Sequence, residues 1–172
     1  MQQYENFEFG IRLDRPRKWN ITFYERNGVI VLESKNGITS DNSARIEIFG
    51  YACIPVPTWS RSSYEVIKLH EDRIRILYSL DSVKIIQNPI KVENKENEVM
   101  QSIIAIPTIS FPKNDVRNQM GAQNSSLYQI IEIFAISNNS QSVMVYIYNG
   151  KSDEVNAEAE EIVSSIQIVC SE

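Results

Sequence analysis

Apolar residues recur at every second position along most of this chain, and at every third or fourth position in only two segments. A period of two sends alternate side chains to opposite faces of a strand, whereas a period near 3.6 builds one stripe along a helix. The pattern therefore predicts a strand-rich domain carrying two helices. Two strand segments, 29–32 and 130–136, carry apolar residues on both faces, with Glu132 the one exception. Such runs belong to strands covered on both faces.

Segment 7–14 alternates and predicts a first strand with Phe7, Phe9, Ile11 and Leu13 on one face. Pro16 breaks it, because proline cannot donate to a ladder. Trp19, Ile21 and Phe23 share one side where the strand resumes, and Asn27-Gly28 turns it into the return strand 29–34. A third strand occupies 44–51. From Ser60 to about Leu80 the spacing changes to three and four. Tyr64, Ile67, Glu71, Ile74 and Tyr78 fall on one helical face, and Val66, His70, Ile74 and Leu77 on an adjacent one. Ser62 or Ser63 is the N-cap, with Glu65 near the positive end of the helix dipole.

Short strands follow at 83–86 and 90–92, interrupted at Asn88-Pro89, and their partner lies at 99–106. Residues 107–126 hold no sustained period. Long irregular stretches of this kind inside a compact domain are often functional. A hairpin of 126–136 with 142–148 comes next, then a helix over 153–165 capped by Ser152, and a terminal strand at 166–169. Val155, Ala159, Ile162, Val163 and Ile166 form the second helix's apolar stripe. Tight turns join most strands, so the sheet is mainly antiparallel. The expected fold is α+β: a sheet of about six to eight strands flanked by two helices, as an α/β/α sandwich.

At 172 residues the chain predicts one domain, and its net charge of −5 argues against general binding of nucleic acid by phosphate neutralisation. No run of eighteen apolar residues predicts a membrane span. The first six residues lack the basic and apolar regions of an export signal. Two compartments stay open: the cytoplasm, or an extracytoplasmic site reached with a signal since removed. The triplets beginning at Asn20, Asn124 and Asn138 match the glycan-acceptor pattern, as chance allows in a chain rich in Asn and Ser. Cys53 and Cys170 read as two free thiols, with a disulfide between the middle of the chain and its last strand as the alternative.

Chemical signals are sparse. No GxSxG, HExxH, P-loop or GxGxxG motif occurs. His70 is the single histidine and reads as a surface or boundary residue. The acidic stretch 93–98 and the acid-rich second helix lack calcium-ligand spacing and read as solvated faces. Arg12, Arg15, Arg17 and Lys18 read as ordinary surface. The expectation is a protein that is not an enzyme, with no cofactor and no metal, acting as a monomer or weak homodimer on a protein partner. The alternative is a small enzyme or ligand carrier with a pocket near His70. Trp19 alternates with core residues. Trp59 follows Pro55 and Pro57, where it staples the helix entry or anchors a partner. Phe111 and Met120, in the long irregular stretch, join Trp59 as candidate interaction residues.

Three stretches resemble the PsbP-like family, named for an extrinsic protein of the photosystem II oxygen-evolving complex. They are 9–19, with its strand, Pro16 and Trp19; the middle helix with 83–92; and the closing hairpin with 159–168. The resemblance implies an α/β/α sandwich. It also implies a non-enzymatic role in assembling or stabilising a larger complex, often outside the cytoplasm and sometimes as a lipoprotein. The same fold serves a eukaryotic factor that binds a nuclear-transport GTPase. Segment 107–126 departs from the short hairpin usual at that place, and the chain has no lipobox. Both departures weigh against a photosynthetic role.

Overall fold

The computed structural model describes residues 1–34, 43–50, 52, 62–78, 82–94, 96–107, 128–138 and 141–170. Ten strands and two α-helices follow in the order β1 (Gln2–Asn6), β2 (Ile11–Arg15), β3 (Trp19–Tyr24), β4 (Val29–Ser34), β5 (Arg45–Phe49), α1 (Ser63–Tyr78), β6 (Lys84–Val92), β7 (Glu98–Pro107), β8 (Tyr128–Asn138), β9 (Gln141–Tyr148), α2 (Asp153–Ser164) and β10 (Gln167–Ile168). Seven strands form the main sheet in the order β3-β4-β5-β9-β8-β7-β6, and β1-β2-β10 form a small second sheet. Every pairing among the described residues is antiparallel.

The register sorts the core. On β7 and β8, Ile104, Ile131 and Ile133 face one side of the main sheet, where Ile67 and Ile74 of α1 pack. Phe134, Ile136, Val145 and Ile147 face the other side, where α2 and β2 close over them. Both apolar faces of the main sheet are thus covered, and the expected three-layer sandwich is the observed one. The α2 stripe is buried at every position named above. Its cap is also as expected: Val155 N–H donates to Ser152 Oγ at 3.4 Å. On α1, Ser62 and Glu65 form a reciprocal capping box, with Ser62 N–H donating to Glu65 Oε2 at 2.8 Å and Glu65 N–H to Ser62 Oγ at 3.4 Å.

Several sequence expectations are corrected. Phe7 does not share a face with Phe9; it is exposed, on a turn between β1 and β2. Gly10 adopts φ 84°, and Phe9 N–H donates to the Asn6 side chain at 2.8 Å, so the chain reverses there. The separate strands expected at 83–86 and 90–92 are one strand, β6, with two register shifts that accommodate Pro89. The terminal strand joins β2 in the small sheet and not the main one. Of the second α1 face expected from spacing, only Ile74 is buried, and Leu77 projects into solvent. Cys170 is disulfide-bonded and no described cysteine is free, which corrects the free-thiol reading. Cys53, the chain's other cysteine, lies outside the described residues.

Candidate functional site

The candidate interaction residues Trp59, Phe111 and Met120 lie outside the described residues. His70 does not. It projects from the flank of α1 toward β9, where its Nδ1 is hydrogen-bonded to the Tyr146 hydroxyl and its ring meets Tyr146 edge-on at 5.6 Å. Strand pleating puts Tyr146, Tyr148, Phe49 and Glu47 on this same face. Phe49 packs on Tyr146 with ring centroids 4.9 Å apart. Tyr148 donates to Glu47 at 3.2 Å, and Arg45 pairs with Glu47 at 2.7 Å and with Glu33 at 3.5 Å.

Burial, then the positive charge of Arg73, hold His70 below its ordinary pKa. Burial pushes the Tyr146 hydroxyl up to about 12 and Tyr148 higher still, with Glu47 adding to the shift. At neutral pH the pair is therefore a neutral imidazole hydrogen-bonded to a neutral phenol. It supplies neither a charged nucleophile nor an acid poised near neutrality. The neighbouring cavity of about 600 Å³ is lined by Glu33, Arg45, Glu47 and Tyr148 among others, and His70 is not in its lining. Arg45 already neutralises one of its two carboxylates and bridges to the other.

This geometry carries a pH prediction. Unfolded chains bind a proton at His70 near the ordinary value of 6.5, and the native chain binds it only at lower pH. Between those values the unfolded state holds more protons, so stability falls as pH drops below about 6.5. The variant His70→Gln is expected to flatten that part of the slope. Urea midpoints measured between about pH 5 and pH 7.5 check it, and slopes identical to the parent's would refute it.

Two carboxylates are buried elsewhere. Glu71 of α1 is fully buried under the helix, with one oxygen held by Lys68 at 2.5 Å and the other without a partner. Glu132 of β8 lies on the opposite face and accepts from Gln101 at 2.8 Å and Asn149 at 2.7 Å. Among the described residues no three His, Cys, Asp or Glu side chains converge. In the acidic turn, Asn94 Oδ1 accepts from the backbone of Glu96 and Asn97, so this stretch is organised by a side-chain turn. Of the basic cluster, Arg12 pairs with Glu5 at 2.7 Å and Lys18 with Glu158 at 2.6 Å, consistent with an ordinary surface role.

The unusual surface lies on α1 and β6. Leu69, Ile76, Leu77 and Ile86 are all exposed, Ile76 by 72% and Leu77 by 79%, whereas Ile90, also exposed, pairs with Gln101 and so lies on the opposite sheet face. Tyr64 and Tyr78 are half-exposed beside them. A shallow groove of about 410 Å³ runs past Tyr64, Lys68, Leu69 and Asp72. Sequence reasoning passed over Leu69, Ile76 and Ile86. The available signal was that Leu69 and Ile76 fall outside the buried stripe of an otherwise amphipathic helix. Among the described residues, no helix is long and apolar enough to cross a membrane.

Comparison with known proteins places the architecture. The cyanobacterial PsbP (CyanoP) from Synechocystis sp. PCC 6803 superposes with a TM-score of 0.59 at 12% identity, over 97% of this chain and 91% of that one. The Saccharomyces cerevisiae Ran-binding protein Mog1p superposes with a TM-score of 0.53 at 12% identity, over 98% of this chain and 95% of that one. The chain has their fold. No family model matches the sequence, and no curated protein is similar to it. The resemblance to the PsbP-like family is thus a remote structural likeness over the full chain.

Proposed function

We propose that this chain is a non-catalytic binding domain that joins or stabilises a larger assembly through the apolar surface of α1 and β6. One observation carries the reading. Three aliphatic side chains, Leu69, Ile76 and Leu77, are exposed along one helix, and Ile86 is exposed on the edge strand that this helix contacts. Scattered exposed hydrophobes need no explanation, but clustered ones mark contact surfaces. Two further facts support it. The His70–Tyr146 pair is neutral and accounts for the histidine without chemistry. The fold is shared with a protein named for binding Ran and with a cyanobacterial PsbP. Trp59, Phe111 and Met120 are proposed as additional anchors for the same partner.

The test is a photo-crosslinking amino acid placed at Leu77 or Ile86 in cells of the source organism, with Arg17 as the control position. Adducts to a protein at Leu77 and Ile86, and none at Arg17, are the expected result. No adduct at either apolar position, in chains that keep the parental melting temperature, would overturn the proposal.

A further inference from the structure

We propose that the exposed face of α1 binds a second copy of this chain, with the two α1 helices lying side by side and parallel. The inference rests on the binding-surface reading above and names one occupant of that surface. Residues advance about 100° each around a helix. Ile67 and Ile74 point into the sheet, so Leu69 and Ile76 lie on the opposite side of α1, two turns apart and exposed. Between them in height sit Asp72 on one flank and Arg73 on the other. Leu69, Asp72, Arg73 and Ile76 form the four-cornered contact unit through which helices pack, at spacing i, i+3, i+4 and i+7.

The charges select both the partner and its orientation. A two-fold axis parallel to α1 exchanges the left and right flanks. Leu69 then meets the partner's Leu69, Ile76 meets the partner's Ile76, and each Asp72 faces the partner's Arg73. A two-fold axis perpendicular to α1 keeps each flank against itself. Asp72 would then meet the partner's Asp72, and Arg73 the partner's Arg73. Only the parallel pair makes two opposite-charge contacts around two apolar ones. Asp72 is available for this role: its side chain is 60% exposed, and its ion pair with Arg75 is long, at 3.7 Å. Arg73 is exposed. The helix has 16 residues, which spans about 24 Å. A contact of that length falls at the small end of specific interfaces, so the dimer is weak, forms at high concentration and loosens with salt.

The test uses the full chain. Sedimentation of the parent is expected to show a reversible monomer–dimer equilibrium. Asp72→Arg alone and Arg73→Asp alone should each weaken it at least tenfold. The double reversal Asp72→Arg/Arg73→Asp restores opposite charges across the axis and should return the dimer. Separately, Leu69→Cys and Ile76→Cys should each cross-link to itself under mild oxidation. Cross-links formed only when those two variants are mixed would show the antiparallel pair and overturn the proposal. So would a parent that stays monomeric at every concentration, or a double reversal no better than the single ones. The two readings fail separately. A monomeric parent that still gives adducts to another protein at Leu77 and Ile86 sinks the self-pairing and leaves the binding domain standing. Because all four side chains are exposed, the variants are expected to keep the parental melting temperature, which is measured alongside.

Discussion

Replacing Trp19 with alanine is expected to destabilise the chain by about 3–5 kcal/mol, a large share of the 5–15 kcal/mol a domain of this kind holds. Trp19 opens β3 at the edge of the main sheet and is fully buried against the α2 side of the core. Its indole N–H donates to Glu158 of α2 at 3.0 Å, and Lys18 reaches the same carboxylate at 2.6 Å. Burial pushes the Glu158 carboxyl up, but the hydrogen bonds from Lys18 and Trp19 outweigh it and leave it below its ordinary value. One side chain thus fills space between two layers and ties them by a polar bond. Trp19→Phe keeps most of the ring volume and leaves Glu158 its lysine, so it should cost clearly less than the alanine. The order of the two urea midpoints, followed by circular dichroism, decides the matter. An alanine variant within about 1 kcal/mol of the parent would show that the α2 layer does not depend on this contact.

Trp19 was legible from alternation alone, and the reason is instructive. Elements whose pattern repeats several times could be read, because each repeat tests the period again. The α2 stripe has five matching positions, and all five are buried. Single repeats misled. Phe7 alternates with Phe9, yet Gly10 and the Asn6 side chain reverse the chain between β1 and β2. β1 itself, Gln2–Asn6, has almost no apolar residue to betray it. It is held by pairing with β2, including Arg12 against Glu5, which only the folded chain brings together.

The site was harder to read for a related reason. Periodicity reports which face of an element is buried by its own fold, and it is silent on what a partner covers. Leu69 and Ile76 break the α1 pattern, so a pattern search treats them as noise. Yet residues that violate local consistency without a folding benefit are where function is to be sought. Leu77 shows the converse. Its spacing puts it on a helical face adjacent to the main stripe, but α1 lies over β6, β7 and β8 and leaves that flank of the helix uncovered.

Glu132 is the other position where a large effect is expected. It sits in the apolar run 130–136, on the strand face shared with Phe134 and Ile136, only 5% exposed. Its two oxygens accept from the side-chain amides of Gln101 and Asn149, residues far away in the chain. Removing the carboxylate as Glu132→Ala leaves both half-buried donors unmatched, at up to about 1–3 kcal/mol for each. Glu132→Gln should be milder for a specific reason. Its new amide N–H₂ needs an acceptor, and Asn149 Oδ1 is buried without a partner in the parent. Turning over the Asn149 amide pairs that oxygen with the new N–H₂ and leaves one unmatched donor, Asn149 Nδ2, where the alanine variant leaves two. The glutamine variant also removes a negative charge near Glu160 of α2, whose carboxyl is pushed up by burial and, in addition, by Glu132. A raised carboxyl in the folded state disfavours folding above that pKa. Relieving the charge of Glu132 should lower the Glu160 pKa and recover stability at neutral pH. Side-chain NMR titration of Glu160 reads the first effect, and urea midpoints at neutral and mildly acidic pH read the second. An unchanged Glu160 titration in Glu132→Gln would show that burial alone sets it. A glutamine variant as unstable as the alanine would rule out the Asn149 rearrangement.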